Sequence, residues 1–283
     1  MLYDLSIALF LAERCVILRL TSIGAGNMAT AIIKSVISSG RIKPSDITVY
    51  DINTDRYSVF KNLSVNCAEI AAQACAASEV ILLAVKPQDY ETVLTQISPF
   101  VAGQKKIFIS IAAGISTAYV CKTLGQDFPV VRVMPNTPLL IGVGATAISR
   151  NSLVEDRIYT KICGLFAASG SVVSLDESQM NAVISVNSSS PAYVYLFAKA
   201  MIDNAVTQGI DKAVATDLVY QTLKGSAEML IQTNSDPDTL IRMVASPKGT
   251  TEAALKSFEK DNFCDIVSNA MNACTARAEE MAR

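Results

Sequence analysis

The feature that most constrains this chain is a change of pattern near Asp176. Before it, short apolar, β-prone runs alternate with amphipathic stretches; after it, only helical patterns remain. Residues 16–23, 47–50, 80–85, 106–112, 130–134 and 172–175 are predicted strands, and 28–39, 88–97, 116–124 and 153–168 carry apolar residues at helical spacing. Strands that are apolar throughout are buried on both faces. That predicts an α/β domain with a doubly wound, mostly parallel sheet. Residues 191–207, 212–233, 238–244 and 250–280 predict successive helices. A length of 283 residues suits two domains, here expected over 1–176 (with 1–20 an extra N-terminal segment) and 177–283.

Composition narrows the function classes. The 24 Lys and Arg against 26 Asp and Glu leave a net charge of -2, with no basic excess to drive nucleic-acid binding. With 51% hydrophobic and 18% charged residues the chain can bury a large core, and disorder is excluded. So apolar a chain, this close to neutral, also fits surface hidden in an oligomer. No stretch reaches the roughly 18 apolar residues of a membrane span. There is no histidine, which removes Ser-His-Asp and Cys-His mechanisms and His-ligated zinc. The seven cysteines are scattered, form no C-x-x-C pair, and read as buried free thiols of a cytoplasmic protein, with no metal site. Near the N-terminus, the short apolar run 5–12 follows Asp4 and precedes Glu13 and Arg14, without a basic lead. That argues against a signal peptide and for an extra surface helix or an upstream start codon.

Chemistry concentrates at the ends of the predicted strands. Ile23, Gly24, Ala25, Gly26, Asn27, Met28 and Ala29 join the first strand to the first helix. Gly24 permits a tight turn, Gly26 lets a pyrophosphate approach the helix start, and Ala29 stands small where a third glycine is usual. These mark a Rossmann-type dinucleotide site. Asp51 ends the second strand, where an acid accepts a ribose 2′-OH and repels a 2′-phosphate; that leans toward NADH. Arg56 keeps NADPH possible, and a helix cap or turn is the plain structural role for Asp51. Ala84, Val85, Lys86 and Pro87 end another strand at the ligand-binding edge, although Lys86 is equally read as solvated. Ala112, Ala113 and Gly114 leave room for a flat ring. Asn136, stiffened between Pro135 and Pro138, is a mount for an amide that orients a nicotinamide.

Together these segments resemble the pyrroline-5-carboxylate reductases: Gly24-x-Gly26-x-Met28-Ala29, Ala84 to Gln88, Ala112 to Gly114, Met134 to Pro138, Pro191-Ala192-Tyr193, and Ser246-Pro247-Lys248-Gly249-Thr250-Thr251. The last is similar to that family's S-P-G-G-T-T, and the resemblance runs from about Thr21 to the C-terminus. It implies reduction of 1-pyrroline-5-carboxylate to L-proline by NAD(P)H, the last step of proline biosynthesis. The chemistry suits a chain without histidine, because a cyclic imine takes hydride at carbon once its nitrogen is protonated, and a hydroxyl donor near nitrogen can suffice for that. By likeness Thr251 is that donor. Ser246 and the backbone N–H groups around Gly249, Thr250 and Thr251 hold the substrate carboxylate. The resemblance also implies helical domains that interlock into a homodimer, or a ring of dimers.

Two departures stand out. The family usually reads S-G-S-G-P-A-Y where this chain has Asn187-Ser188-Ser189-Ser190-Pro191-Ala192-Tyr193, so Ser188 and Ser190 replace glycines. Either serine is strained if its site needs a positive φ, or Ser190 is a good cap before Pro191. Lys248 replaces a third glycine and is expected to face solvent. Two rivals follow. One is another imine or hydroxy-acid dehydrogenase with Lys199 as its acid; the other is a non-catalytic paralogue that binds dinucleotide.

Overall fold

The computed structural model describes residues 19–282, so the expectations about the run 5–12 and most of the N-terminal segment lie outside it. Eight strands form one sheet: β1 (Leu20–Ile23), β2 (Ile47–Tyr50), β3 (Asn66–Cys67), β4 (Val80–Leu83), β5 (Ile107–Ser110), β6 (Val130–Met134), β7 (Gly144–Arg150) and β8 (Gly170–Ser174). Their spatial order is β3-β2-β1-β4-β5-β6-β7-β8, parallel throughout except for the β6–β7 pair. The doubly wound, mostly parallel sheet is therefore present.

Period-two alternation inside an apolar strand builds both cores at once. Val80 and Leu82 pack on one face with Ile33, Ile47 and Phe60. Ile81 and Leu83 pack on the other with Ala74, Leu94 and Phe108. Burying each large side chain contributes about 1.5–3 kcal/mol. Helices cover the faces with stripes of helical period. α1 (Asn27–Ser38) buries Ala29, Ile32, Ile33 and Val36; α2 (Tyr57–Lys61) and α3 (Ala71–Ala77) are short. α4 (Tyr90–Val101) buries Tyr90, Leu94, Ile97 and Val101, followed by α5 (Thr117–Leu124) and α6 (Asp156–Ala167).

Several elements differ from the sequence reading, which did not predict the short β3, α2 and α3. β7 was not predicted, because Gly144 and Ala145 at its start carry no strand signature. Small residues there serve a close approach: a Cβ on Gly170 would lie 2.0 Å from the Gly144 carbonyl oxygen. The single helix expected over 250–280 is two, α10 (Thr250–Lys260) and α11 (Phe263–Glu280), after α7 (Ser190–Thr207), α8 (Lys212–Thr233) and α9 (Pro237–Val244). Asn262 breaks it with φ +53, a left-handed conformation that asparagine tolerates.

The chain divides into two compact units. One runs to Ser188 and takes back the residues from Thr275; the other is Ser189–Cys274. Residues beyond Asp176 stay with the sheet because polar side chains tie them to it. Glu177 accepts from both the backbone N–H and the hydroxyl of Thr117, at 2.7 and 2.6 Å, and Asn181 accepts from Arg132 at 2.6 Å. In the second unit α7 and α8 share a small core of Ala198, Ile202, Ala215 and Val219. Much of their apolar surface stays outside: Tyr195, Leu196, Leu218, Tyr220 and Ile231 are all exposed. No helix among the described residues is long and apolar enough to cross a membrane.

Candidate functional site

The turn after β1 needs glycine. Gly24 has φ +106, and its N–H donates to the Tyr50 carbonyl at 2.7 Å. A Cβ there would stand 2.5 Å from the Ala84 carbonyl oxygen. Gly26 caps α1 without a side-chain hydrogen bond, no acid sits in the first turn, and a Cβ on Gly26 would meet nothing within 4 Å. The helix start therefore offers free N–H donors to open space, which fits a pyrophosphate. Ile23, Ala25 and Ala29 are buried beneath the turn, while Asn27 is exposed and Met28 half-buried.

Asp51 does more than the sequence suggests. Its Oδ2 accepts from the Ala25 N–H at 2.6 Å and its Oδ1 from the Asn53 N–H at 2.8 Å. The carboxylate thus ties the glycine turn to the loop after β2. Asn53 in turn accepts from the Asp55 N–H at 3.1 Å, and Arg56 Nη1 reaches Asn27 Oδ1 at 3.5 Å. Arg56 is exposed beside the helix start.

The next strand ends are joined by a side chain the sequence reading missed. Tyr90 is fully buried; its hydroxyl donates to the Leu83 carbonyl at 2.8 Å and lies 3.0 Å from Ser110 Oγ. Burial pushes this phenol well above the usual tyrosine range. Ala84 and Val85 follow half-buried, Lys86 is exposed, and Pro87 opens a short 3-10 turn. Ala112 is buried, and Gly114 has φ +74. A Cβ on Gly114 would be 2.9 Å from the Met281 carbonyl oxygen, so the end of the last helix closes over this loop.

Asn136 is buried and its Oδ1 accepts from the Ala145 N–H at 2.9 Å. That fixes the amide's orientation and leaves Nδ2 without a hydrogen bond among the described residues. Arg132, buried in β6, leaves Nε unpartnered among the described residues, and burial lowers its pKa. The serine segment is unstrained: neither Ser188 nor Ser190 has a positive φ. Sequence reasoning also missed Asn187 and Glu177, whose one available signal is a polar residue followed by apolar helix.

In the second unit, Gly249 caps α10 without a side-chain bond, and its N–H donates to the Ser246 carbonyl at 3.0 Å. A Cβ at Gly249 would collide with Ser246 Oγ at 2.5 Å. Thr250 is exposed and Thr251 half-buried in the first turn, with free backbone N–H groups. Lys248 is exposed, with φ +61, and its N–H donates to Glu252 Oε2 at 2.5 Å. Bonds from Lys256 and from that N–H hold the Glu252 carboxyl below its usual range. Lys199, the acid of the rival dehydrogenase reading, is exposed and ion-paired with Asp203.

A parallel sheet with a glycine turn after β1 and an uncapped helix behind it defines a dinucleotide-binding oxidoreductase fold. Comparison with known proteins narrows the class. Residues 177–281 match the family described as pyrroline-5-carboxylate reductase dimerisation, and residues 19–114 match NADP oxidoreductase, coenzyme F420-dependent. The chain is 34% identical to the pyrroline-5-carboxylate reductase of Escherichia coli over 92% of its length and 97% of that protein's. It is 37% identical to that of Pseudomonas aeruginosa, over 93% and 97%. The solved pyrroline-5-carboxylate reductase of Coxiella burnetii superposes with a TM-score of 0.86 at 32% identity, covering 94% of this chain and 99% of that one. The chain belongs to the pyrroline-5-carboxylate reductase family.

Proposed function

We propose that this protein reduces 1-pyrroline-5-carboxylate to L-proline with NAD(P)H, the last step of proline biosynthesis. The observation that carries the reading is the 34% identity with the Escherichia coli enzyme along nearly the whole of both chains. The free helix starts at Gly26 and Gly249 supply the anion-binding ends that such a reaction needs.

The cofactor supplies hydride to the imine carbon. Gly24, Gly26, Asn27 and Met28 receive its pyrophosphate, and Asp51 its adenine ribose. Ile23, Ala25, Ala84, Val85, Lys86 and Pro87 line its path. Ala112 and Ala113 would border the ring, and Asn136 Nδ2 would hold its carboxamide; at Gly114 the room left by a missing side chain is taken by the Met281 carbonyl. Asp51 favours NADH by repelling a 2′-phosphate, whereas Arg56 gives NADPH a foothold.

Ser246, Gly249, Thr250 and Thr251 hold the substrate. The first-turn N–H groups take its carboxylate, and Thr251 Oγ1 meets the ring nitrogen in this reading. A threonine hydroxyl is too weak an acid to end as an alkoxide. The proton gained by nitrogen therefore comes from solvent, and Thr251 Oγ1 orients and stabilises the charged imine by accepting its N–H.

The exposed apolar faces of α7 and α8 pair with a second copy of the chain, giving a homodimer or a ring of such dimers. The protein works in the cytoplasm, where its free thiols persist. The test is steady-state oxidation of NADH and of NADPH with 1-pyrroline-5-carboxylate. Turnover with proline as product is expected. A folded, dinucleotide-binding protein with no turnover would overturn the reading.

A further inference from the structure

The first unit ends in a π-helical turn, Ile184–Ser188, and its last two side chains reach back to one loop. Asn187 is 8% exposed; its Nδ2 donates to the Met134 carbonyl at 2.7 Å and to the Ala145 carbonyl at 3.1 Å. Ser188 Oγ donates to the Pro135 carbonyl at 3.0 Å. These acceptors lie where β6 and β7 part company, since their pairing ends at Met134↔Ala147. Beyond that rung the strands can no longer satisfy each other's carbonyls. The Asn187 amide bridges them in place of a ladder bond. Pro135 has no N–H, so its carbonyl is the sole backbone anchor it offers, and Ser188 holds it.

Between these anchored carbonyls sits Asn136, whose Oδ1 is already held by the Ala145 N–H at 2.9 Å. The direction of its free Nδ2 is thus set by a frame with three fixed points: Met134, Pro135 and Ala145. At position 188 a glycine, the family residue in the resemblance above, has no hydroxyl to make the Pro135 bond. A serine at 187 has one donor and cannot bridge two carbonyls.

We propose that Asn187 and Ser188 are positioning residues for hydride transfer, fixing the Met134–Pro135–Asn136 loop so that Asn136 meets the nicotinamide carboxamide in one orientation. The inference rests on the function proposed above. Neither side chain touches the reacting atoms; both act through Asn136. A misplacement of about 1 Å at a reacting centre costs up to about 100-fold in rate, so a loosened loop shows in kcat before it shows in binding.

The experiment compares Ser188→Gly, Ser188→Thr and Asn187→Ala with the unaltered protein. The readouts are kcat, both KM values, thermal midpoint, and the deuterium isotope effect on kcat with cofactor labelled at the transferred position. Ser188→Gly is expected to lower kcat by about 3- to 10-fold, and Asn187→Ala by about 10- to 100-fold, with cofactor KM changed less than about twofold. The isotope effect should rise as the chemical step becomes limiting, and Ser188→Thr should restore both values. Should Asn187→Ala fail to fold, Ser188→Gly still decides. A merely structural role would lower the thermal midpoint and leave kcat per folded molecule and the isotope effect unmoved; that result overturns the proposal. So does failure of threonine to rescue. If the unaltered protein itself shows no turnover, the proposed function falls and this inference with it, an outcome distinct from variants that match an active parent.

Discussion

The carboxylate of Asp51 holds the backbone N–H of Ala25 at 2.6 Å, so the acid that follows β2 also sets the shape of the glycine turn after β1. One residue therefore carries two effects that a selectivity experiment separates. Asp51→Ser removes the negative charge facing a 2′-phosphate and shortens the tether to Ala25. The ratio of kcat/KM for NADPH over NADH should rise about tenfold, while affinity for both falls through the loosened turn, the lost bond being worth about 1.5–3 kcal/mol. Steady-state kinetics with each cofactor checks this. An unchanged ratio would mean that Asp51 serves the turn alone.

Thr251 stands half-buried in the first turn of α10, where Gly249 supplies no side-chain cap and the Glu252 carboxylate bonds back to the Lys248 N–H. Thr251→Ala should lower kcat by about 100-fold or more with cofactor affinity nearly kept, and Thr251→Ser should retain most of the rate. If alanine leaves kcat intact, the threonine is only part of the helix start. Cofactor titration by fluorescence alongside turnover distinguishes the two results.

The sheet was legible because β4 and β6 are apolar at every position or nearly so, and runs as short as Val80 to Leu83 alternating with helical patterns fit strands buried on both faces. The glycine turn was legible for a similar reason: two glycines between a strand and a helix have few other uses. β7 was not, since it opens on Gly144 and Ala145, which carry no strand signal, although Gly144 is where β8 approaches closely at Gly170. The break at Asn262 hides because asparagine is unremarkable in a helical pattern until its φ is known. Asn187 shows the deeper limit. A buried amide that bridges two distant carbonyls looks, in the sequence, like any polar residue before a helix.

Lys248 sits at φ +61, a conformation that costs a residue with a Cβ about 1–2 kcal/mol. Its side chain is exposed, and the bond to Glu252 comes from its backbone N–H, which glycine keeps. Lys248→Gly is therefore expected to stabilise by up to about 1 kcal/mol, less the greater freedom of glycine in the unfolded chain. Urea denaturation monitored by circular dichroism measures it. A loss of stability would mean that the lysine stem contributes packing that outweighs the strain. Substrate KM, measured in parallel, reports any pull of the ammonium on the carboxylate.

Lys106 is buried, with Nζ donating to the Cys75 and Ser78 carbonyls, each at 2.6 Å, at the C-terminal end of α3. A cation there satisfies two carbonyls the helix leaves open and opposes its dipole. Lys106→Met keeps the stem and removes both bonds, so a loss of about 2–4 kcal/mol is expected, measured as a shift in urea midpoint at constant slope. The pH dependence has a definite sign. Burial lowers the Lys106 pKa in the folded protein, so over the range just below the unfolded value of about 10.4 the unfolded chain binds more protons than the folded one. Stability contributed by this amine thus rises with pH across that range and falls as pH drops through the lowered folded value. The gap between the unaltered protein and Lys106→Met should widen from neutral pH toward pH ~10. A gap that narrows instead would show that the charge on the ammonium, rather than its hydrogen bonding, is what holds the end of α3.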